Sequence, residues 1–382
     1  MVISMAKAQN GRRKREHYYY QMDYMLLFMT VVIALFGILM IYSASSYTAS
    51  TSRFSNPYRF VTRQALGMLG GIFCMLFVAR WDYRELYLKK FDVVYLIYVV
   101  CLILQTIVLI PGIGIEHNGA RRWLKFGMEF QPSEFTKIGV ILFVSYAVYL
   151  SRKRLDTFQG FLKVMVYIIP AIALIGKENL STAIIVTVIA GGMCFVASRK
   201  KKYFIFCAIA AAGLALAYAM IGGGFRAGRI ASWRDIENEP GGFQILQGLY
   251  AIASGGILGS GLGESMQKLG YIPEAYNDMI FAVICEELGI VGAVFVMIAF
   301  LVLLWRIVII ACNAPDIFGS MICVGVMIHI AIQVLFNIAV VTNTIPSTGV
   351  PLPLISYGGT ACLIMMTELG LVLNVSARIK RK

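Results

Sequence analysis

Residues 279–305 read MIFAVICEELGIVGAVFVMIAFLVLLW, 27 positions with only two charges, Glu286 and Glu287. A bilayer core needs about 20 mostly apolar residues per helix, and this run satisfies that requirement. It stops at Arg306 and follows a 56-residue stretch, Gly222–Asn277, that contains 13 glycines. Working outward, comparable runs occur at Met25–Tyr42, Gln64–Ala79, Val93–Ile110, Glu134–Leu150, Leu180–Ala197, Tyr203–Ile221, Ile317–Val341 and Thr360–Val375. A shorter one, Phe161–Ile175, contains Pro170. Together with Met279–Trp305 these make ten expected spans of an all-α polytopic membrane protein.

Composition excludes a soluble enzyme. Hydrophobic residues make up 59% of the 382 and charged residues 14%, against about 45–50% and 25% in soluble domains. The net charge of +14 does not indicate nucleic acid, because the basic residues fall in short clusters between apolar runs. Those clusters, Arg12–Arg15, Arg80–Lys90, Arg152–Arg154, Arg199–Lys202, Arg306 and Arg378–Lys382, share one side of a ten-span arrangement. That side holds 21 Lys and Arg and the other 11, which predicts cytoplasmic termini by the positive-inside rule. Residues 1–22 then form a cytoplasmic basic tail, and no small-residue cleavage pattern follows the first apolar run, so it is expected to remain as an anchor. The eight cysteines show no CxxC spacing and no neighbouring histidine, which argues against disulfide or zinc frameworks.

The loops are unequal. The stretch 222–277 lies between the seventh and eighth expected helices on the extracytoplasmic side. Within it Ile245–Leu262 is uncharged but carries five glycines, so it is expected to lie at, or re-enter, the outer surface rather than to span. Arg226, Arg229, Lys268 and Glu274 lie in this loop, with Asp278 where the next helix begins. Cations beside carboxylates suit a phosphate-bearing substrate and a proton-transfer group; a solvated loop with incidental ion pairs is the alternative. A second loop, Pro111–Ser133, contains GARRWLKFG at 119–127, where Arg121, Arg122 and Lys125 flank Trp123. Headgroup anchoring is its plainer reading. The last loop, IPSTGVPLPLISYGG at 345–359, is expected to be rigid and non-helical.

Polar groups also occur inside spans: Glu286, Glu287, His329, Gln333, Asn337 and Glu368. Such residues are costly in lipid and face a bundle interior. His329, Gln333 and Asn337 recur every four residues and share one helix face, either hydrogen-bonding between helices or lining a polar cavity.

Several of these stretches together resemble the SEDS family, whose members include FtsW, RodA and SpoVE. The resemblance runs through IYSASS (41–46), GARRWL (119–124), QPSEF (131–135), GLGES (261–265), YIPEAYNDMIFAVICEELG (271–289) and PSTGVPLPLISYGGTA (346–361). The first and fifth look more like FtsW or SpoVE than RodA. Tyr276, Lys177-Glu178-Asn179 and Asn343 depart from the common pattern. The resemblance implies a single membrane domain that polymerises lipid II into glycan strands at the outer face of the cytoplasmic membrane. It implies a class B penicillin-binding protein and divisome proteins as partners. Asp278 corresponds to the family's essential loop aspartate. On that reading Asp278 is the general base, Arg226, Arg229 and Lys268 are pyrophosphate ligands, Arg121 and Arg122 form a second tier, and Glu274 competes with Asp278. Neither DxD nor HExxH occurs, so no tightly held metal is indicated; a diffusible Mg or Mn ion bridging Asp278 and pyrophosphate is compatible with the residues present. The rival classes are a lipid II flippase, which would use the buried acids and His329, a RodA-type elongation polymerase, and a noncatalytic division scaffold.

The charge asymmetry makes a direct prediction. A cysteine placed at Asn238 should react with an impermeant thiol reagent in intact cells, and one at Lys201 should not. The reverse labelling would invert the topology.

Overall fold

The computed structural model describes residues 22–51, 58–88, 93–117, 120–126, 128–151, 156–205, 213 and 225–379. Its helices are α1 (Tyr24–Thr51), α2 (Arg59–Arg80), α3 (Glu85–Leu88), α4 (Val93–Val108), α5 (Pro132–Ser151), α6 (Phe158–Glu178) and α7 (Leu180–Ala197). After these come α8 (Phe225–Arg234), α9 (Phe243–Gly255), α10 (Ile280–Asn313), α11 (Ile317–Val341) and α12 (Gly359–Ser376). Eight of the described helices are long and apolar enough to cross a membrane, and the 16-residue α4 is a shorter apolar one. They match nine of the ten expected spans, the proline-containing one included. The remaining one, Tyr203–Ile221, lies outside the described residues apart from 203–205 and 213, as does the basic tail through residue 21.

Helices in lipid lack a hydrophobic driving force toward one another, so close backbone approach has to hold them together. The α2–α12 pair does this through Gly67 and Gly71, spaced as GxxxG. A Cβ on Gly67 would lie 2.6 Å from the Cα of Gly359, and one on Gly370 would lie 2.7 Å from the Met75 carbonyl. The opposite face of α2 leaves Leu66, Leu69, Phe73 and Phe77 exposed. A water-soluble protein would bury such a stripe; here it suits lipid contact. At the end of the bundle away from the long loop, Arg306 pairs with Asp23 at 2.5 Å and Arg378 with Asp82 at 3.1 Å.

Two features were not expected. The 111–133 segment is a small antiparallel sheet rather than an irregular loop: β1 (Ile115–His117), β2 (Ala120–Phe126) and β3 (Met128–Phe130), in the order β1-β2-β3. His117 pairs with Ala120 at the end of the β1–β2 ladder. The bundle is therefore all-α except for this sheet. The second is a break in α10. Gly289 adopts φ 65° and ψ −161°, a region open essentially to glycine alone. Nine residues separate it from Ile280, so it lies roughly 14 Å along the helix.

The re-entrant segment fills that break. After α9, the amides of Ser260 and Gly261 donate to the carbonyls of Glu286 and Glu287 at 2.9 and 3.0 Å. In return the amides of Ile290 and Val291 donate to Gly256 and Ile257 at 3.0 and 3.2 Å. Peptide groups freed at this depth have no water to turn to, so a second backbone must satisfy them. Glycine at 255 and 259 permits the approach, since a Cβ at either would overlap the carbonyl of Cys285 or Glu287. Ile245–Leu262 is thus a half-helix and turn docked on α10.

Gly289→Ala should destabilise the purified protein by about 1–3 kcal/mol from backbone strain alone. A thermal melt in detergent that matches wild type would contradict the break as a required feature.

Candidate active site

Asp278 lies two residues before α10, at the end of the bundle that carries the long loop. Four segments converge on it. From α11, the Asn337 amide donates to the Asp278 carbonyl at 2.7 Å and to the Val350 carbonyl at 2.9 Å. This one side chain therefore holds both the aspartate's backbone and the last loop. From α9, Gln244 Nε2 approaches Asp278 Oδ1 at 3.5 Å, a long and weak contact. From the last loop, Gly349 lies closest: a Cβ built there would be 3.8 Å from Asp278 Oδ2. The fourth is α8, whose Arg229 donates to the Ser347 carbonyl at 3.1 Å and supports the charge on Asp278.

The last loop is the shared scaffold. Besides Arg229 and Asn337, Trp233 Nε1 donates to the Asn343 carbonyl at 3.0 Å and Ser181 Oγ to the Thr348 carbonyl at 3.1 Å. At its far end, Gln64 of α2 accepts from the Gly358 amide at 3.0 Å. Prolines 346, 351 and 353 lack an N–H, and the loop's carbonyls are spent on neighbours, so its rigidity comes from sequence and tertiary contacts together.

The second arginine comes from the sheet. Arg122 Nε donates to the Glu178 carbonyl at 2.9 Å, while the Arg121 amide donates to Glu178 Oε2 at 3.0 Å. Glu178 ends α6, and Asn179 caps α7 by accepting from the Thr182 amide. The unusual Lys177-Glu178-Asn179 stretch therefore docks β2 and starts a helix. Burial lowers the pKa of Arg122, and the positive charge of Arg229 lowers it further. Burial also lowers that of Arg229, opposed by Asp278. Two guanidinium groups close enough to repel each other and a nearby acid define an anion-binding mouth.

Asp278 has its pKa raised above the usual carboxylate value, chiefly by burial, and Glu274 raises it further. A hydrogen bond with its own backbone, the positive charge of Arg229 and the hydrogen bond from Gln244 oppose this. Glu274 itself is exposed, holds a φ of 49° and accepts from Asn277 Nδ2 at 2.6 Å.

Other expected site residues go elsewhere. Lys268 is buried and paired with Glu287 at 2.7 Å, so it does not reach the arginine mouth. Arg121 turns its guanidinium to exposed Glu116 at 3.2 Å. Arg226 lies in the first turn of α8, with its side chain outside the described residues. The polar stripe does not line one cavity. Gln333 borders a small chamber with Glu134 and the 351–354 segment, His329 Nδ1 meets Glu368 Oε2 at 2.6 Å, and Asn337 bonds as above. Glu286 accepts from Ser265 Oγ and the Met266 amide. Among the described residues no group of three or more His, Cys, Asp or Glu gathers into a metal-binding cluster.

Residues 23–381 match the family described as Cell cycle protein, that of FtsW, RodA and SpoVE. The chain belongs to this family. It is 37% identical over 362 residues to stage V sporulation protein E of Bacillus subtilis, covering 93% of this chain and 96% of that one. It is 36% identical to a probable peptidoglycan glycosyltransferase FtsW of Geobacter metallireducens, covering 94% and 95%. In fold it is similar to a chain of a solved peptidoglycan synthase complex, with a TM-score of 0.76 at 24% identity over 93% of this chain and 97% of that one. For this family member, reading residues singly missed Gln244 and Ser181 as contacts of the site. It also missed Glu178 as the anchor of Arg122.

The raised pKa of Asp278 has a stability consequence. An acid whose folded pKa lies above its unfolded one stabilises the fold below the unfolded value, and that contribution is lost as pH rises through the folded pKa. The melting temperature of Asp278→Asn relative to wild type should therefore rise as pH climbs above about 4 and then level off. A difference that is flat from pH 4 to 8 would contradict the shift.

Proposed function

We infer that this membrane protein is a peptidoglycan glycosyltransferase, with Asp278 and the Arg229–Arg122 pair forming its reaction centre. The observation that carries this is the meeting of an acid with a raised pKa and two partly buried guanidiniums at one rim of a helical bundle. Its substrate is lipid II, whose polyprenyl tail belongs in lipid and whose pyrophosphate-disaccharide head belongs in water. A site at the outer mouth of the bundle serves both.

The reaction is a single inverting displacement. The 4-hydroxyl of the acceptor GlcNAc attacks the anomeric carbon of the donor, a new glycosidic C–O bond forms, and the bond to pyrophosphate breaks. Asp278 takes the hydroxyl proton. Its raised pKa favours this task, because a base is most effective when its pKa lies near the working pH. Arg229 and Arg122 stabilise the charge that develops on the leaving polyprenyl pyrophosphate, where fixed cations in a partly dry site act most strongly. No covalent intermediate is needed.

The chain works in the cytoplasmic membrane with both termini inside, beside a class B transpeptidase and divisome proteins. Its likeness to a chain of a peptidoglycan synthase complex supports the transpeptidase pairing, and its identity to FtsW and SpoVE sequences supports division or sporulation over elongation.

Purified protein, alone and with its cognate transpeptidase, should polymerise lipid II without a membrane gradient. Asp278→Asn should abolish polymer while lipid II binding and folding persist. Arg229→Ala and Arg122→Ala should each lower turnover about 100–1000-fold. Glycan synthesis by Asp278→Asn would refute the base assignment, and transport without synthesis would favour the flippase.

A further inference from the structure

Lys268 and Glu287 take no part in the chemistry above, yet both are charged and buried at 3% and 0% exposure. Lys268 Nζ reaches Glu287 Oε1 at 2.7 Å, Ser43 Oγ at 2.9 Å and the Gly263 carbonyl at 2.6 Å. An ammonium has three N–H donors, so this one has none left for a substrate phosphate. Ser43 Oγ in turn donates to Glu287 at 2.6 Å. Three distant parts of the chain, α1, the long loop and α10, therefore meet at one buried charge pair.

The position of that pair along the chain matters more than its strength. Asp278 lies ten residues after Lys268 and nine before Glu287, at the midpoint of the loop they close. One residue inward, Glu286 closes the same loop by accepting from Ser265 Oγ and from the amides of Met266 and Gln267. Between these ends, residues 269–279 form no regular helix or strand. They are held by few backbone bonds, among them Asn277 to Glu274 and Tyr357 to Tyr276. Without its ends pinned, such a segment has many conformations of similar energy. A buried ion pair adds little net stability compared with apolar filling, but it penalises any register that leaves one charge alone.

We propose that the Lys268–Glu287 pair, bridged by Ser43, is a positioning device that holds the Asp278 loop in its reactive register; this rests on Asp278 being the base. Lys268 and Glu287 are positioning residues and do not touch substrate.

The test is a double-mutant cycle on the full chain with lipid II, paired with hydrogen exchange of residues 269–279. Lys268→Met and Glu287→Gln should each lower kcat about 100-fold, the scale expected of a small misplacement of a reacting group, with KM nearly unchanged. Amide exchange in 269–279 should quicken at least about fivefold in each. Lys268→Met/Glu287→Gln, which leaves no charge unpaired, should recover most of both losses. If a single variant does not fold, Ser43→Ala, which removes only the bridge, should still quicken exchange and lower kcat. A Lys268→Met enzyme with raised KM and wild-type kcat would overturn the proposal in favour of direct phosphate binding. A double variant no better than the singles, or folded singles with wild-type exchange, would also overturn it. A wild-type chain that makes no glycan would refute the enzyme reading, while the exchange data would still decide the clamp.

Discussion

Peptide groups at membrane depth must be satisfied without water, and the break in α10 at Gly289 is where this chain meets that demand by backbone exchange. The Ser260 and Gly261 amides enter the gap, and the Ile290 and Val291 amides bond back to the re-entrant turn. An unbroken helix would bond its own carbonyls and leave the turn nothing to dock on. The exchange converts an uncharged, glycine-rich stretch, unsuited to lipid, into a buried support. Because the break lies 11 residues, about three turns, after Asp278, the support lies beneath the loop that carries the acid.

A second constraint acts from above. The final loop has its carbonyls distributed among Arg229, Ser181, Asn337 and Trp233. These come from three different helices, α7, α8 and α11, so the loop is a hub through which the site's parts are mutually located. Asn337 has a double role, since the same amide fixes both the loop and the carbonyl of Asp278. Electrostatics then follow from geometry: partial burial raises the acid, and the two arginines repel each other beside it. A polyanionic ligand placed between them would relieve that repulsion.

Charged residues divide into two groups by surroundings. Those with every hydrogen-bonding valence met inside the protein, Lys268, Glu286 and Glu287, shape the scaffold. Arg122, Arg229 and Asp278 lie at the rim instead, where Arg122 meets the Glu178 carbonyl, Arg229 the Ser347 carbonyl and Asp278 the Gln244 amide.

The membrane class, nine of the spans and the non-spanning character of 245–262 were legible in the sequence, because apolar run length and glycine content are local properties that lipid reads directly. The three-stranded sheet was not legible, since two of its strands have three residues and ARRWLKF in β2 does not alternate apolar with polar. What tertiary structure alone decided was which charges are paired inside the bundle and which lie at its rim. Lys268 and Arg229 look equivalent along the chain, both basic and both in the same loop. One meets Glu287 and Ser43 inside the bundle, and the other meets the last loop at its rim. The cause is physical: a charge takes the role its counter-charges allow, and those partners lie 19 and 225 residues away for Lys268 and 118 for Arg229, beyond the reach of any local pattern.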